Sequence, residues 1–162
     1  VGRRMRQRLS QLFQVPSDLD YVGAFQALSL MNLEIRRDGP SPERLLRKSL
    51  LERDVGNHEA SLNAAQRAQE LDPQNPEVYY ELGLAFFFLA LAKAGALPVG
   101  PKASDLPAEG IGELLGLAVE AFSRVIELNP QDEDAALDLS ALAEVLAVGA
   151  NDDQLGAALR AR

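Results

Sequence analysis

A five-residue phrase occurs twice in this chain, first as Glu70-Leu71-Asp72-Pro73-Gln74 and again as Glu127-Leu128-Asn129-Pro130-Gln131. Each copy follows an alanine-rich stretch with helical spacing, and proline cannot continue a helix interior. Punctuation that recurs in this way points to a repeat architecture, in which each unit buries its apolar face against the next. The two prolines stand 57 positions apart (130 − 73).

The intervals between punctuation marks read as helices. Ser17-Asp18 supplies a helix start, and residues 19–37 run to cations just before Gly39-Pro40, as a helix end should. Tyr21, Val22, Phe25, Leu28, Leu30, Met31, Leu33 and Ile35 cover more than one face of that segment, so it is expected to be buried on two sides. Ser41-Pro42-Glu43 restarts a helix that Gly56-Asn57 breaks. Further helices are expected at about 58–71, 77–94, 109–128, 133–148 and 153–161. Residues 95–107 hold three prolines and two glycines, a loop composition. No segment alternates with the period of a strand, so the fold class is all-α. A chain of 162 residues, 47% hydrophobic, is long enough for one genuine core.

The net charge of −8 is unevenly spread: residues 1–53 hold ten Lys/Arg against six Asp/Glu, and residues 54–162 hold six against eighteen. An acidic body argues against nucleic-acid binding, which needs clustered cations. Any such role would rest on the first dozen residues alone, within a tail, 1–17, in which Arg3, Arg4, Arg6 and Arg8 accompany Leu9, Leu12 and Phe13 at helical spacing. This basic tail is expected to be flexible, as termini commonly are. Two other arrangements stay open: a basic amphipathic helix touching an anionic membrane or nucleic acid, or docking onto the chain's own acidic body. No apolar run of secretory length follows the arginines, and the most apolar stretch, residues 82–92, is too short to span a bilayer. A cytoplasmic protein is expected. With no cysteine, disulfides and thiolate metal sites are excluded.

Helix pairs closed by proline resemble the tetratricopeptide repeat, with about 34 residues per unit and the pattern W-x₂-L-G-x₂-Y…A-x₃-F…P. The likeness is strongest in a second unit, residues 76–132. There Tyr79, Leu82, Gly83 and Phe86 follow the first-helix pattern, and Ala118, Phe122 and Pro130 follow the second. A first unit, 42–75, keeps Ser49, Gly56, Ala65, Ala68 and Pro73, with Lys48 and Glu52 where the pattern wants leucine and an aromatic. A third, 133–162, keeps Leu139 and Ser140 and is truncated. The resemblance implies a short α-solenoid of antiparallel helix pairs preceded by an extra N-terminal helix, 18–38, packing on it. A 57-residue spacing exceeds the family unit by about 23 residues, which places an insertion in the second repeat near 90–112.

Signs of catalysis are sparse. His58 is the only histidine, so zinc-binding histidine pairs are excluded. No serine has nucleophile-elbow context, and Gly110-Ile111-Gly112 lacks the rest of a phosphate loop. Asp132, Glu133 and Asp134 sit at a helix start, where negative charge is favourable anyway. Neither an enzyme, a metal site nor a cofactor is expected.

In the family, the first helix of each pair lines a concave groove for peptides. Carried onto this chain, the resemblance implies a groove of Leu46, Leu50 and Arg53, then Tyr80, Leu84, Phe87 and Phe88, then Leu137, Ala141, Glu144 and Val145. With Arg53 its only cation, this groove would not clamp a peptide carboxylate. The segment 77–94 is apolar all round and must be covered. Two coverings compete, the helix 19–37 in cis or an amphipathic helix or apolar peptide of a partner. The first is favoured because a large bare patch is a liability. The expected function is a non-catalytic interaction module with Tyr80, Phe87 and Phe88 as anchors. Its acidic rim would favour basic partners, self-association through the same surface is a further reading, and membrane and nucleic acid are not expected partners.

Overall fold

Both copies of the repeated phrase end a helix, because Asp72 and Asn129 donate their backbone N–H to Ala68 and Val125 and then turn out of helical geometry. Helix starts are equally local. Ser41 Oγ accepts the Arg44 N–H, Asn75 Oδ1 the Glu77 N–H, Asp132 Oδ1 the Ala135 N–H and Asn151 Oδ1 the Gln154 N–H. Each such cap satisfies a donor that the first turn leaves unpaired.

The structure, a computed structural model, describes residues 2–13, 18–97, 109–149 and 151–161. Among these are eight helices: α1 (Arg3–Phe13), α2 (Asp18–Asp38), α3 (Pro42–Asp54), α4 (His58–Leu71), α5 (Pro76–Lys93), α6 (Ile111–Leu128), α7 (Glu133–Val148) and α8 (Asp152–Arg160). From α2 onward each helix packs on the next, as in a solenoid of helix pairs. The chain is all-α among the described residues.

Small residues set the closest approaches. A Cβ built on Gly83 of α5 would lie 2.8 Å from the Phe122 ring of α6, so glycine is the residue that lets this aromatic sit against the helix. Ser49 of α3 does the same with α4, donating from Oγ to the Ser61 carbonyl at 2.8 Å. The main core gathers α5, α6, α7 and α8 around Tyr80, Phe88, Phe122 and Leu142. α8 closes the far end: its Asp152 carboxylate accepts the Gly110 and Gly112 N–H groups that start α6, and its Leu155 and Leu159 enter the core.

Four sequence expectations need correction or remain outside the description. Of the basic tail 1–17 expected to be flexible, Arg3–Phe13 is instead a helix, α1, laid against α7, because Arg4 and Arg8 find carboxylates and Met5 is buried, while residues 14–17 lie outside the described residues. The helix over 18–38 packs on α3 through one face only, and its other face is exposed. Gly110 holds φ at +80°, which starts α6 at Ile111 rather than Glu109. Residues 98–108, the Pro/Gly tip of the expected insertion, lie outside the described residues.

Replacing Gly83 with alanine isolates the packing term. Alanine is the better helix former by about 1 kcal/mol, yet its methyl group collides with Phe122. Overpacking costs about 1–3 kcal/mol, so urea denaturation of Gly83→Ala should show lower stability; a gain would mean the α5–α6 contact is loose.

Candidate functional site

The face built by α3, α5 and α7 centres on α5, which is buried without interruption from Val78 to Ala92. Such a helix needs neighbours on every side. α4 and α6 cover its back, and over the front lies α1.

α1 is held at three points. At its start, the Gly2 N–H donates to Asp138 Oδ1 at 2.7 Å and the Arg3 N–H to Asp134 Oδ1 at 2.8 Å. Gly2 is itself a close fit, since a Cβ there would meet the Asp134 backbone oxygen at 2.8 Å. Next, Arg4 Nη2 bonds the Asp132 carboxylate at 2.6 and 2.7 Å, Arg4 Nε bonds Asp134 at 3.1 Å, and the guanidinium lies 3.7 Å from the centre of the Tyr80 ring. Burial works against the Arg4 charge, but these partners outweigh it and raise its pKa. Third, Arg8 Nη2 reaches Glu81 Oε1 at 2.7 Å while Arg53 Nη2 takes Glu81 Oε2 at 2.8 Å.

Between the arginines, Met5 is 1% exposed. With Leu9 it lines a cavity of about 100 Å³ whose other walls include Phe87, Leu91, Ala141, Val145 and Leu159, with Asp138 as the polar one. Full burial of a side chain such as Met5 contributes about 1.5–3 kcal/mol, whereas partly exposed ion pairs contribute about 0–1 kcal/mol each. Met5 is therefore the anchor, and the arginines set direction and register.

Burial raises the pKa of the Asp138 carboxyl, against the opposing bonds from the Gly2 N–H and the Tyr80 hydroxyl. The Tyr80 hydroxyl, donating to Asp138 Oδ2 at 2.8 Å, is likewise raised by burial first and the nearby carboxylate second. Arg53, only 2% exposed, is lowered by burial despite Glu81. Among the described residues, Nη1 of both Arg8 and Arg53 is buried without a hydrogen-bond partner.

The residues expected to form the groove separate into distinct places. Tyr80 meets Arg4, and Phe87, Ala141 and Val145 line the cavity beside Met5. Leu84 is fully buried in the core. Arg53 shares Glu81 with Arg8, and the Phe88 ring centre lies 5.1 Å from its guanidinium. Leu50 is half-buried. Leu46 turns the other way, against Leu45, Ala68 and Val78. Leu137 is 51% exposed, and Glu144 is also exposed. The expected cis cover, α2, stands against α3 instead, and the cover over α5 and α7 is α1. Sequence reasoning did not assign Gly2, Arg4, Met5, Arg8, Glu81, Asp132, Asp134 or Asp138 to this site. The available signal was the contrast between a basic start and an acidic remainder.

His58 starts α4, is 5% exposed, and has no hydrogen-bond partner for Nδ1 among the described residues. No group of three His, Cys, Asp or Glu positioned to hold a metal ion occurs among the described residues, and no described helix is long and apolar enough to cross a membrane.

A family model described as TPR repeat matches residues 50–88, which run from the last turn of α3 through α4 to Phe88 of α5. No curated protein matches the chain.

Burial, then the Arg53 charge, pushes the His58 pKa down to about 4, against about 6.5 in an unfolded chain. Between those values only the unfolded chain takes up this proton, so acidification from pH 6.5 toward 4 should erode stability. The urea midpoint of His58→Gln should fall less between pH 7 and pH 5 than that of the wild type. Equal slopes would show that His58 is hydrated.

Proposed function

We propose, for a chain that carries a tetratricopeptide repeat, that its α3–α5–α7 face receives a basic amphipathic helix and that α1 occupies this face in cis. TPR repeats serve as protein–protein interaction modules, and the finer reading rests on how α1 is seated. One observation carries it: Met5 is buried between Arg4 and Arg8, whose charges meet Asp132, Asp134 and Glu81. A ligand of the same chemistry would present an apolar side chain flanked by arginines on one helical face, an established mode of helix-in-groove recognition.

The acidic rim gives such a ligand direction. Glu77, Asp132 and Asp134 surround one end, and Glu81 with Arg53 marks the other. Complementary charge of this kind speeds encounter and fixes register more than it adds affinity. Affinity comes from the cavity beside Phe87 and Val145, which is largely apolar and holds room beyond Met5 and Leu9. The reading is of a non-catalytic module. The alternative use of the basic tail, on an anionic membrane or nucleic acid, is less well supported, because Arg4 and Arg8 are already engaged with carboxylates.

Replacing Met5 by Glu in the full chain places a charge in the apolar cavity and should release α1. A synthetic peptide of residues 1–13 should then bind that variant at least about tenfold more tightly than it binds the wild type, whose site is filled. Added salt should weaken the binding, and the same peptide carrying Met5→Glu should not bind. Titration calorimetry with all three pairs tests this. No binding by either chain, or equal binding by both, would overturn the assignment.

A further inference from the structure

α2 has two apolar faces, and the fold covers one. Ala24, Ala27, Leu28 and Met31 pack with Leu51 and Val55 of the α3 end, and Ile35 packs on the cluster of Leu45, Ala68 and Val78. On the opposite face Val22, Phe25, Leu30 and Leu33 are 51%, 51%, 67% and 55% exposed. Their spacing places them in one arc of the helix. No charged residue occurs anywhere in 21–33, although a solvent-facing helix surface is normally polar or charged. A contiguous patch of this kind marks an interaction site.

We propose that this face joins two copies of the chain through antiparallel α2 helices in an isologous dimer. A twofold contact requires a surface complementary to itself, and the exposed stripe has that property. Reflected about the point between Ala27 and Leu28, Val22 falls opposite the second copy's Leu33, Phe25 opposite its Leu30, and Gln26 opposite its Ser29. Gln26 and Ser29 are exposed and uncharged, so the centre of the contact closes without desolvating a charge, a step that costs several kcal/mol per ion.

Charge selects the same arrangement. The α2 sequence opens Asp18-Leu19-Asp20 and ends Arg36-Arg37-Asp38, so its last turn keeps a net positive charge. An antiparallel pair sets the acidic start of each helix beside the basic end of the other, and it also opposes the two helix dipoles. A parallel pair would place like charges together. Arg37 is 76% exposed in its side chain and pairs only with its neighbour Asp38 across the described ion pairs, an exposed contact of little strength that an incoming carboxylate can replace. An anionic membrane is disfavoured as the occupant by the acidic first turn and by the net charge of −8.

The natural chain has no cysteine, which makes cross-linking a clean test of register. Gln26→Cys and Ser29→Cys chains, mixed under mild oxidation, should form the mixed disulfide in preference to either like-with-like product. Sedimentation velocity of the wild type should show mass rising toward dimer with concentration, and Phe25→Glu/Leu30→Glu should weaken association by at least about tenfold while its helical circular dichroism persists. Arg36→Asp/Arg37→Asp should weaken it as well, and mixing that chain with Asp18→Arg/Asp20→Arg should restore association. A wild type that stays monomeric at every concentration would overturn the proposal, as would a dimer indifferent to Phe25→Glu/Leu30→Glu, or a monomer that binds neutral or anionic phospholipid vesicles through this face.

Discussion

The structure depends on covering α5. Fifteen consecutive residues, Val78 to Ala92, are buried, so this helix has no solvent side and every neighbour is placed by the need to enclose it. Gly83 brings α6 close enough for Phe122 to seal one flank, and Ala65 and Ala68 bring α4 near on another. The front is the difficult side, because Tyr80, Phe87 and Leu91 would otherwise face water. A bare patch of that size is a docking surface or an aggregation hazard. α1 resolves it with one apolar anchor and a ring of ion pairs.

Those ion pairs add definition more than stability. Glu81 is shared by Arg8 and Arg53, and the two guanidinium groups repel each other while Glu81 attracts both. Desolvating such a triad offsets much of its Coulombic gain. The buried Nη1 atoms left without partners add a further penalty. What the triad does supply is discrimination. A helix with a neutral or acidic residue in place of Arg8 would leave Arg53 and Glu81 as a buried pair beside an empty position. The same logic applies at Asp138, whose carboxylate is bonded by Tyr80 and by the Gly2 N–H. That bond needs a backbone that approaches as closely as glycine permits.

Local chemistry made much of this fold legible in the sequence. Ser41, Asn75 and the two Pro-Gln phrases mark helix ends through interactions within a few residues, and such interactions do not depend on the tertiary fold. The repeat resemblance marked Gly83 as a position of close helix approach, but its partner, the Phe122 ring, is seen only in the structure. The position of α1 was not legible. Its arginines are compatible with water, membrane, phosphate or carboxylate, and only the three-dimensional placement of Asp132, Asp134 and Glu81 distinguishes these. Leu46 and Leu137 stand apart from the residues around α1 for a related reason. The repeat pattern assigns a face from the register of an average helix, but Leu46 packs on the cluster of Leu45, Ala68 and Val78 at the junction of α3, α4 and α5, and Leu137 is 51% exposed.

On the proposed reading, occupation of this face by α1 also sets the terms on which a partner could enter. A ligand that binds only the open face has its apparent affinity reduced by the fraction of chains that are open. If docking of α1 is worth about 3 kcal/mol, the order expected for one buried anchor and a few partly exposed ion pairs, fewer than about one chain in a hundred is open. A partner must then offer more than α1 does, and the cavity beside Leu9 shows where more is available. Met5 and Leu9 of α1 line it together with Leu91, Ala141 and Leu159. A helix carrying a larger apolar residue there would fill space that α1 leaves empty, and would gain on it without any stronger ion pair.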